Sequence, residues 1–226
     1  MSSLVSNTAR LRDSVATREA LLEAAEAIFA EQGFSGARVD QIAQRSGYNK
    51  SLIFMHFSDK LGLYHRVLHR IRDTSDDAFR EVLGGFWQDP ASWTQEEFQN
   101  FIVFSAGWVF DHFLARPHYL QLLTWEMASG WPVFRNEESE PEDTSFGRCV
   151  ELFKRARVEG WLRPDLDPQT LAETMLCLPL VTLASLPRFQ AYRSSVGVLS
   201  DLVQLRVQIV TQLLHIALPD DKLEPA

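Results

Sequence analysis

Small polar and basic side chains are concentrated at one point of the chain, in Asn49, Lys50 and Ser51. All three can donate hydrogen bonds, and Lys50 adds a positive charge. A lysine ammonium group can donate to O6 and N7 of guanine, and amide or hydroxyl groups can bind base edges and phosphates. These residue types therefore indicate chemistry of nucleic-acid recognition.

A short helix with one apolar face precedes these residues. Val39, Ile42 and Ala43 recur at the i, i+3 and i+4 spacing of such a face. Ser46-Gly47 should end the helix, because glycine adopts the left-handed conformation that a helix C-terminus usually needs. The pattern predicts a helix followed at once by a tight turn.

A second short helix should then run from Lys50 toward Phe57, with Asn49 as its N-cap and Ile53 and Phe57 on its buried face. Its N-terminal end would expose the three polar residues. This arrangement is typical of a helix-turn-helix, whose second helix enters the major groove of DNA. The alternative is an αα-hairpin in a helical bundle, with Lys50 simply in solvent.

The flanking segments also have helical patterns. Thr17 can cap an upstream helix that ends at Gln32-Gly33, and Asp59 can cap a downstream one. Their apolar stripes consist of Leu21, Ala25, Ile28 and Phe29 in the first helix, and Leu63, Val67 and Ile71 in the second.

The ordered motifs from Thr17 to Lys60 resemble the TetR family of one-component bacterial repressors. The matching residues are Thr17-Arg-Glu, Leu21, Ala24-Ala25, Phe29-Ala-Glu31, Gly33-Phe34, Ile42-Ala43, Gly47, Ile53-Phe54, His56-Phe57 and Asp59-Lys60. The segment Gly160–Pro168 also resembles a linker of that family's regulatory domain.

This resemblance implies an all-α fold, with an N-terminal three-helix helix-turn-helix DNA-binding domain and a C-terminal helical ligand-binding and dimerisation domain. The expected boundaries are 1–16 for a flexible N-terminal arm, 17–63 for the DNA-binding domain and 64–226 for the regulatory domain.

The resemblance also implies a set of DNA contacts, with Lys50 as the best candidate for binding a guanine. Phe54 stands where the family usually has tyrosine, so its ring can pack on the sugar-phosphate wall but has no hydroxyl to bond a phosphate. The expected contacts are Arg38, Tyr48, Asn49, Lys50, Ser51, Phe54, His56 and Lys60.

Charge is divided unevenly along the chain. Residues 1–72 hold ten Lys and Arg against seven Asp and Glu, a net charge of +3. Residues 73–226 carry −11, which gives the chain its net charge of −8. Such asymmetry favours nucleic-acid contact at the N-terminal end. Because the local excess is modest, binding should depend strongly on salt.

The remaining composition fits a globular cytoplasmic protein. With 46% hydrophobic residues in 226, the chain can bury a core. The N-terminus has no hydrophobic secretion segment, and no apolar run is expected to reach the ~18 residues that span a bilayer. Cys149 and Cys177 suggest neither a disulfide framework nor a zinc site. We expect no cofactor, no metal and no membrane.

Beyond Ile71 the chain has helical patterns only. The predicted helices are 94–116, one opened by Pro117, one around 150–158, one opened by Asp167-Pro168 with a kink at Pro179, and 199–218. Residues 137–144 form a predicted acidic loop.

The regulatory half is expected to bind a small apolar or aromatic effector, because a helical bundle rich in Trp and Phe with a few polar groups can enclose one. The alternative is that each of these side chains simply packs in the core. The nominated ligand-binding residues are Trp108, His112, Trp125, Glu126, Phe153 and Met175.

The last two helices are more apolar than a lone surface pair requires, and the resemblance implies that they pair with a second copy. The resulting hypothesis is a non-enzymatic repressor that binds a palindromic operator as a homodimer and is released by its ligand. A helical protein-interaction module without DNA binding and an all-helical enzyme remain alternatives.

Overall fold

The computed structural model describes residues 2–84, 93–136, 144–196 and 202–219, and side chains from residue 14 to 189 and from 202 onward within these ranges. All regular structure in them is helical, which confirms the all-α prediction. The helices are α1 (Ser2–Gly36), α2 (Val39–Ser46), α3 (Lys50–Phe57), α4 (Lys60–Leu83), α5 (Gln95–Ala115), α6 (Pro117–Ala128), α7 (Ser145–Val158), α8 (Pro168–Val196) and α9 (Leu202–Ala217).

The chain forms two compact units. The first contains Met1–Thr74 and Gln121–Glu137, and the second contains Ser75–Leu120 and Glu138–Ala226. Helices α4 and α6 therefore each contribute residues to both units. The segment 121–137 belongs to the same unit as α1, α2 and α3, although it is distant from them in sequence.

Helix α1 begins at Ser2, whereas the sequence pattern predicts an N-cap at Thr17. Residues 2–16 contain neither glycine nor proline, so no residue in this stretch forces the helix to start later. The predicted end is confirmed, because Gly33 leaves the helical conformation with φ of 67°.

The two short helices have the predicted ends. Gly47 follows α2 in the left-handed conformation, with φ of 76°. Asn49 caps α3, because its side-chain oxygen accepts the backbone N–H of Leu52 at 3.1 Å. Ile53 and Phe57 are the buried residues of α3, as their spacing predicts.

A strained turn joins α3 to α4. Ser58 has φ of 65° and ψ of −53°, and the N–H of Asp59 donates to the carbonyl of Phe57 at 2.8 Å, which closes a γ-turn. Asp59 then caps α4 by accepting the N–H of Gly62 at 2.7 Å. A Cβ atom on Gly62 would collide with the Phe57 carbonyl oxygen. The turn therefore requires a residue without a side chain at position 62.

The second unit is built around α5, which packs against α8 and α9. Thr94 and Glu97 form a capping box at its N-terminus, with the N–H of Glu97 donating to the Thr94 hydroxyl at 3.3 Å. The guanidinium of Arg206 on α9 covers Gly107 and donates to both oxygens of Asp111 at 2.9 Å. This ion pair joins α9 to α5.

Helix α8 contains one segment, Pro168–Phe189, whose 22 residues are long and apolar enough to cross a membrane by length and composition alone. The expectation that no segment reaches this length is therefore wrong, because only Glu173 and Arg188 interrupt the segment with charge. About a third of this apolar stretch, 33%, is buried, and α8 packs against α5 and α7.

The other helices also match their predicted positions. Helix α5 lies within the predicted range 94–116, α6 and α8 begin at the predicted Pro117 and Pro168, and α7 ends at Val158 as predicted. Pro179 lies inside α8, and the kink predicted there stays a prediction. Residues 137–143 of the predicted acidic loop and 199–201 of the predicted last helix fall outside the described residues.

Replacing Gly62 by alanine should destabilise the first unit by roughly 1–3 kcal/mol, because the new methyl group must displace a backbone oxygen. Urea unfolding followed by circular dichroism measures this loss. Gly36→Ala is the matched control: its methyl group would meet only the Gln32 Cβ at 3.4 Å, so the free energy of unfolding should change by less than about 1 kcal/mol. Equal effects of the two substitutions would contradict this account of the turn.

Candidate nucleic-acid interface

The exposed face of α3 carries the residues expected to contact DNA. Asn49, Lys50, Ser51 and Phe54 are all exposed, while Ile53 points into the core. The structure therefore brings Asn49, Lys50 and Ser51 together at the start of α3. The backbone N–H groups of that first helical turn add a partial positive charge, which favours an anion nearby.

Asn49 has two roles at this end of the helix. Its side-chain oxygen accepts the Leu52 N–H and also the hydroxyl of Ser51, the latter at 2.9 Å. Because the oxygen faces these donors, the amide nitrogen remains as a donor for an outside acceptor. The cap thus holds both side chains in a defined orientation before any ligand arrives.

Lys50 forms an ion pair with Asp40 of α2, at 3.0 Å between Nζ and a carboxylate oxygen. Both side chains are exposed, and exposed pairs of this kind contribute about 0–1 kcal/mol. The pair orients the ammonium group but costs little to open. Lys50 can therefore exchange its carboxylate partner for a base or a phosphate.

The other expected contacts lie around this centre. Arg38 is exposed immediately before α2, and its backbone N–H donates to the Gln41 side chain at 3.0 Å. Lys60 opens α4, with its ammonium 4.6 Å from the centre of the Phe34 ring, and partial burial lowers its pKa from the usual value. Tyr48 and His56 are half-buried.

His112, nominated for the ligand pocket, lies buried in the second unit. Its Nδ1 is 2.9 Å from Arg116, which can only donate, so Nδ1 accepts and Nε2 donates to the Ser75 hydroxyl at 2.9 Å. The indole of Trp108 stacks on the imidazole, with ring centres 4.3 Å apart. Burial, and secondarily the charge of Arg116, lower the pKa of His112 to about 4.

The remaining nominees divide between the two units. Phe153 and Met175 are buried in the second unit, and Phe153 contacts the rings of Phe98 and Phe101. Trp125 and Glu126 instead belong to the first unit. The six nominated residues thus do not form one cluster within either unit, and their role in binding a ligand stays a prediction.

Trp125 and Glu126 attach segment 121–137 to the rest of the first unit. The Trp125 indole N–H donates to the carbonyl of Ala30 at 3.0 Å, and its ring lies over Gly33. Glu126 is buried and accepts the Tyr64 hydroxyl at 2.9 Å and the Val133 N–H at 3.1 Å. Burial is the main cause that raises the pKa of Tyr64, and its hydrogen bond to Glu126 is the second.

Comparison with known proteins identifies this arrangement. Residues 21–67 match the family model of bacterial regulatory proteins of the tetR family. The HTH-type transcriptional repressor SCO4008 of Streptomyces coelicolor is 32% identical over 153 residues, which are 66% of this chain and 69% of that protein. The chain belongs to the TetR family.

Two further proteins show how far the similarity extends. The HTH-type transcriptional activator FasR of Mycolicibacterium smegmatis is 41% identical over 66 residues, which are 29% of this chain and 30% of that protein. The crystal structure of NalD, the secondary repressor of the MexAB-OprM multidrug efflux pump in Pseudomonas aeruginosa, superposes with a TM-score of 0.60. It is 20% identical, with 92% of this chain and 98% of that one covered, and therefore supports the fold alone.

This TetR-family chain is accordingly a helix-turn-helix transcriptional regulator. The attachment of segment 121–137 is the feature of its first unit that sequence patterns missed. A glycine at position 33 predicts a helix end, but nothing near it in sequence indicates that a tryptophan ring will cover it. A buried carboxylate such as Glu126 likewise has no local signal.

The low pKa of His112 predicts a loss of stability in acid. The unfolded chain binds a proton near pH 6.5, whereas the folded chain resists it until about pH 4. Stability is therefore complete above about pH 6.5 and should fall by up to roughly 3 kcal/mol as the pH drops to 4. Urea unfolding at several pH values measures this change.

The controls are His112→Gln, which should lose this part of the pH dependence, and His215→Gln. His215 is exposed on α9, so its replacement should leave the dependence unchanged. If His112→Gln has the same pH dependence of stability as the wild type, the acid loss does not come from His112.

Proposed function

We propose that this TetR-family regulator is a repressor that binds a palindromic operator as a homodimer and is released by a small apolar or aromatic ligand. Residues 17–63 would bind DNA, residues 64–226 would bind the ligand and form the dimer, and residues 1–16 would serve as an arm. The activity is regulatory rather than enzymatic, and cytoplasmic.

The observation that carries the DNA-binding part is the exposed, pre-oriented start of α3. Asn49 and Ser51 are held by their shared hydrogen bond, and Lys50 by its weak ion pair. Groups fixed in this way lose little conformational entropy on binding. The net charge of +3 over residues 1–72 supports contact with phosphates at the same end of the chain.

Two lysines should affect DNA binding differently. Lys50→Ala should weaken specific binding by about 1–3 kcal/mol and relax the preference at one base pair, because its ammonium contacts a base edge. Lys60→Ala should weaken binding to all sequences alike, because this lysine contacts a phosphate. Titrations on operator and on random duplex at two salt concentrations distinguish the two roles.

Lys154→Ala is the matched control for these substitutions. Lys154 is an exposed lysine of α7 paired with Glu151, so its loss should leave both affinities unchanged. Equal effects of Lys50→Ala and Lys60→Ala on operator and on random DNA would refute the division.

Exposed apolar side chains on α8 and α9 support the homodimer. They are Leu176, Val181, Phe189, Val203 and Val207. Exposed apolar side chains that form a contiguous patch mark protein interfaces. A two-fold dimer would present two copies of α3 to half-sites about 34–36 Å apart, one turn of DNA.

One side of α5, within the second unit, supports the proposal that the protein binds a ligand. Ser105 is 1% exposed, and its hydroxyl has no hydrogen-bond partner among the described residues. Trp108 and His112 follow on the same side of the helix. A buried hydroxyl without a partner costs free energy that a ligand with a polar group could recover. Because α4 and α6 contribute to both units, ligand binding could shift the population of DNA-binding states.

Substitution at the proposed interface should separate the copies. The wild type should sediment as a dimer at micromolar concentration, and Val203→Glu should give monomers with weak operator binding, because burying a carboxylate in an apolar interface is costly. Val158→Glu is the matched control, since Val158 is 86% exposed on α7.

A wild type that sediments as a monomer would refute the dimer. For the ligand, small aromatic and aliphatic compounds should be screened in a mobility-shift titration with wild-type protein. At least one should release the operator, and a screen in which DNA affinity never changes would refute the ligand-responsive part.

A further inference from the structure

Met55 is the most exposed large apolar side chain among the described residues of the first unit, at 67%. Phe54 beside it is 43% exposed. A single exposed apolar side chain is ordinary, but two neighbours on a helix of eight residues form an apolar patch. Neither the caps nor the packing of α3 requires such residues there.

The patch continues the polar face of α3. Met55 follows Ser51 by four residues, and Phe54 follows Lys50 by four, so each apolar residue lies one turn beyond a polar one on the same side. The exposed face thus has a polar first turn and an apolar second turn. A partner that binds the first turn also meets the second.

The major groove presents one group that suits this second turn. Base edges there are hydrogen-bond donors and acceptors, except that thymine also carries a 5-methyl group. The methionine thioether is flexible and polarizable, and it fills gaps of irregular shape. Met55 follows Lys50 by five residues, which advance a helix by about 7.5 Å, or roughly two base-pair steps of 3.4 Å.

We propose that Met55 contacts the 5-methyl group of a thymine in the operator, about two base pairs from the base that Lys50 contacts. The inference rests on the proposed function, since it requires α3 to lie in the major groove. It adds a residue that selects thymine over cytosine by apolar contact, next to residues that select by hydrogen bonding.

The test uses the full-length protein. Selection from a random duplex library first yields the half-site, and each of its thymines is then replaced in turn by deoxyuridine, which removes only the methyl group. One replacement per half-site should weaken wild-type binding about fourfold, the amount expected for one buried methyl group. Met55→Ala should bind the thymine and the deoxyuridine duplexes equally.

Met127→Ala is the matched control, because Met127 is an exposed methionine of the same unit on α6. It should keep the wild-type sensitivity to deoxyuridine. The replacements in DNA need no protein variant, so the test with wild type does not depend on whether Met55→Ala folds.

Several outcomes would overturn the inference while leaving the proposed function intact. They are a selected half-site without thymine, no sensitivity to deoxyuridine at any position, and a sensitivity that Met55→Ala retains. A change in sedimentation on Met55→Ala would also overturn it, because the patch would then bind a second copy. Failure to enrich any sequence would overturn the proposed function itself, and the inference with it.

Discussion

An isolated helix of eight residues is not stable in water, because the cost of nucleation exceeds what so few hydrogen bonds return. Helix α3 has that length, and it carries most of the groups proposed to contact DNA. It therefore depends on its surroundings: a side-chain cap at Asn49, two buried residues on one face, and a turn at its C-terminal end. The conformation of the interface is a property of the whole first unit rather than of α3 alone.

That unit is completed by residues distant in sequence. The γ-turn at Ser58 and the close approach at Gly62 join α3 to α4, and Tyr64 of α4 donates to the buried Glu126. Trp125 donates to the last part of α1. Through these contacts segment 121–137 becomes part of the unit that includes the helix-turn-helix. A change in this segment would therefore act on the helices that position α3, without touching α3 itself.

The features that sequence patterns predicted are local ones. Caps at Asn49 and Asp59 and ends at Gly33, Gly47 and Arg116 depend on a few neighbouring residues, so they can be predicted from the sequence. The predicted start of α1 at Thr17 was wrong, because residues 2–16 contain no helix-breaking residue that would mark a boundary. The location of Trp125 and Glu126 could not be predicted, since it depends on pairings across more than sixty residues. The nominated pocket therefore divided between the two units.

The ion pair between Lys50 and Asp40 has a consequence for how such a regulator finds its operator. A protein that slides along DNA must spend little time on each wrong sequence. On such a sequence Lys50 has a carboxylate of its own chain as an alternative partner, and Asp40 repels nearby phosphates. Because the exposed pair is weak, a base or a phosphate can displace the carboxylate, and the pair lowers the net gain from either. If Lys50 contacts the operator as proposed, Asp40 would weaken binding to non-cognate DNA and shorten the dwell time on it.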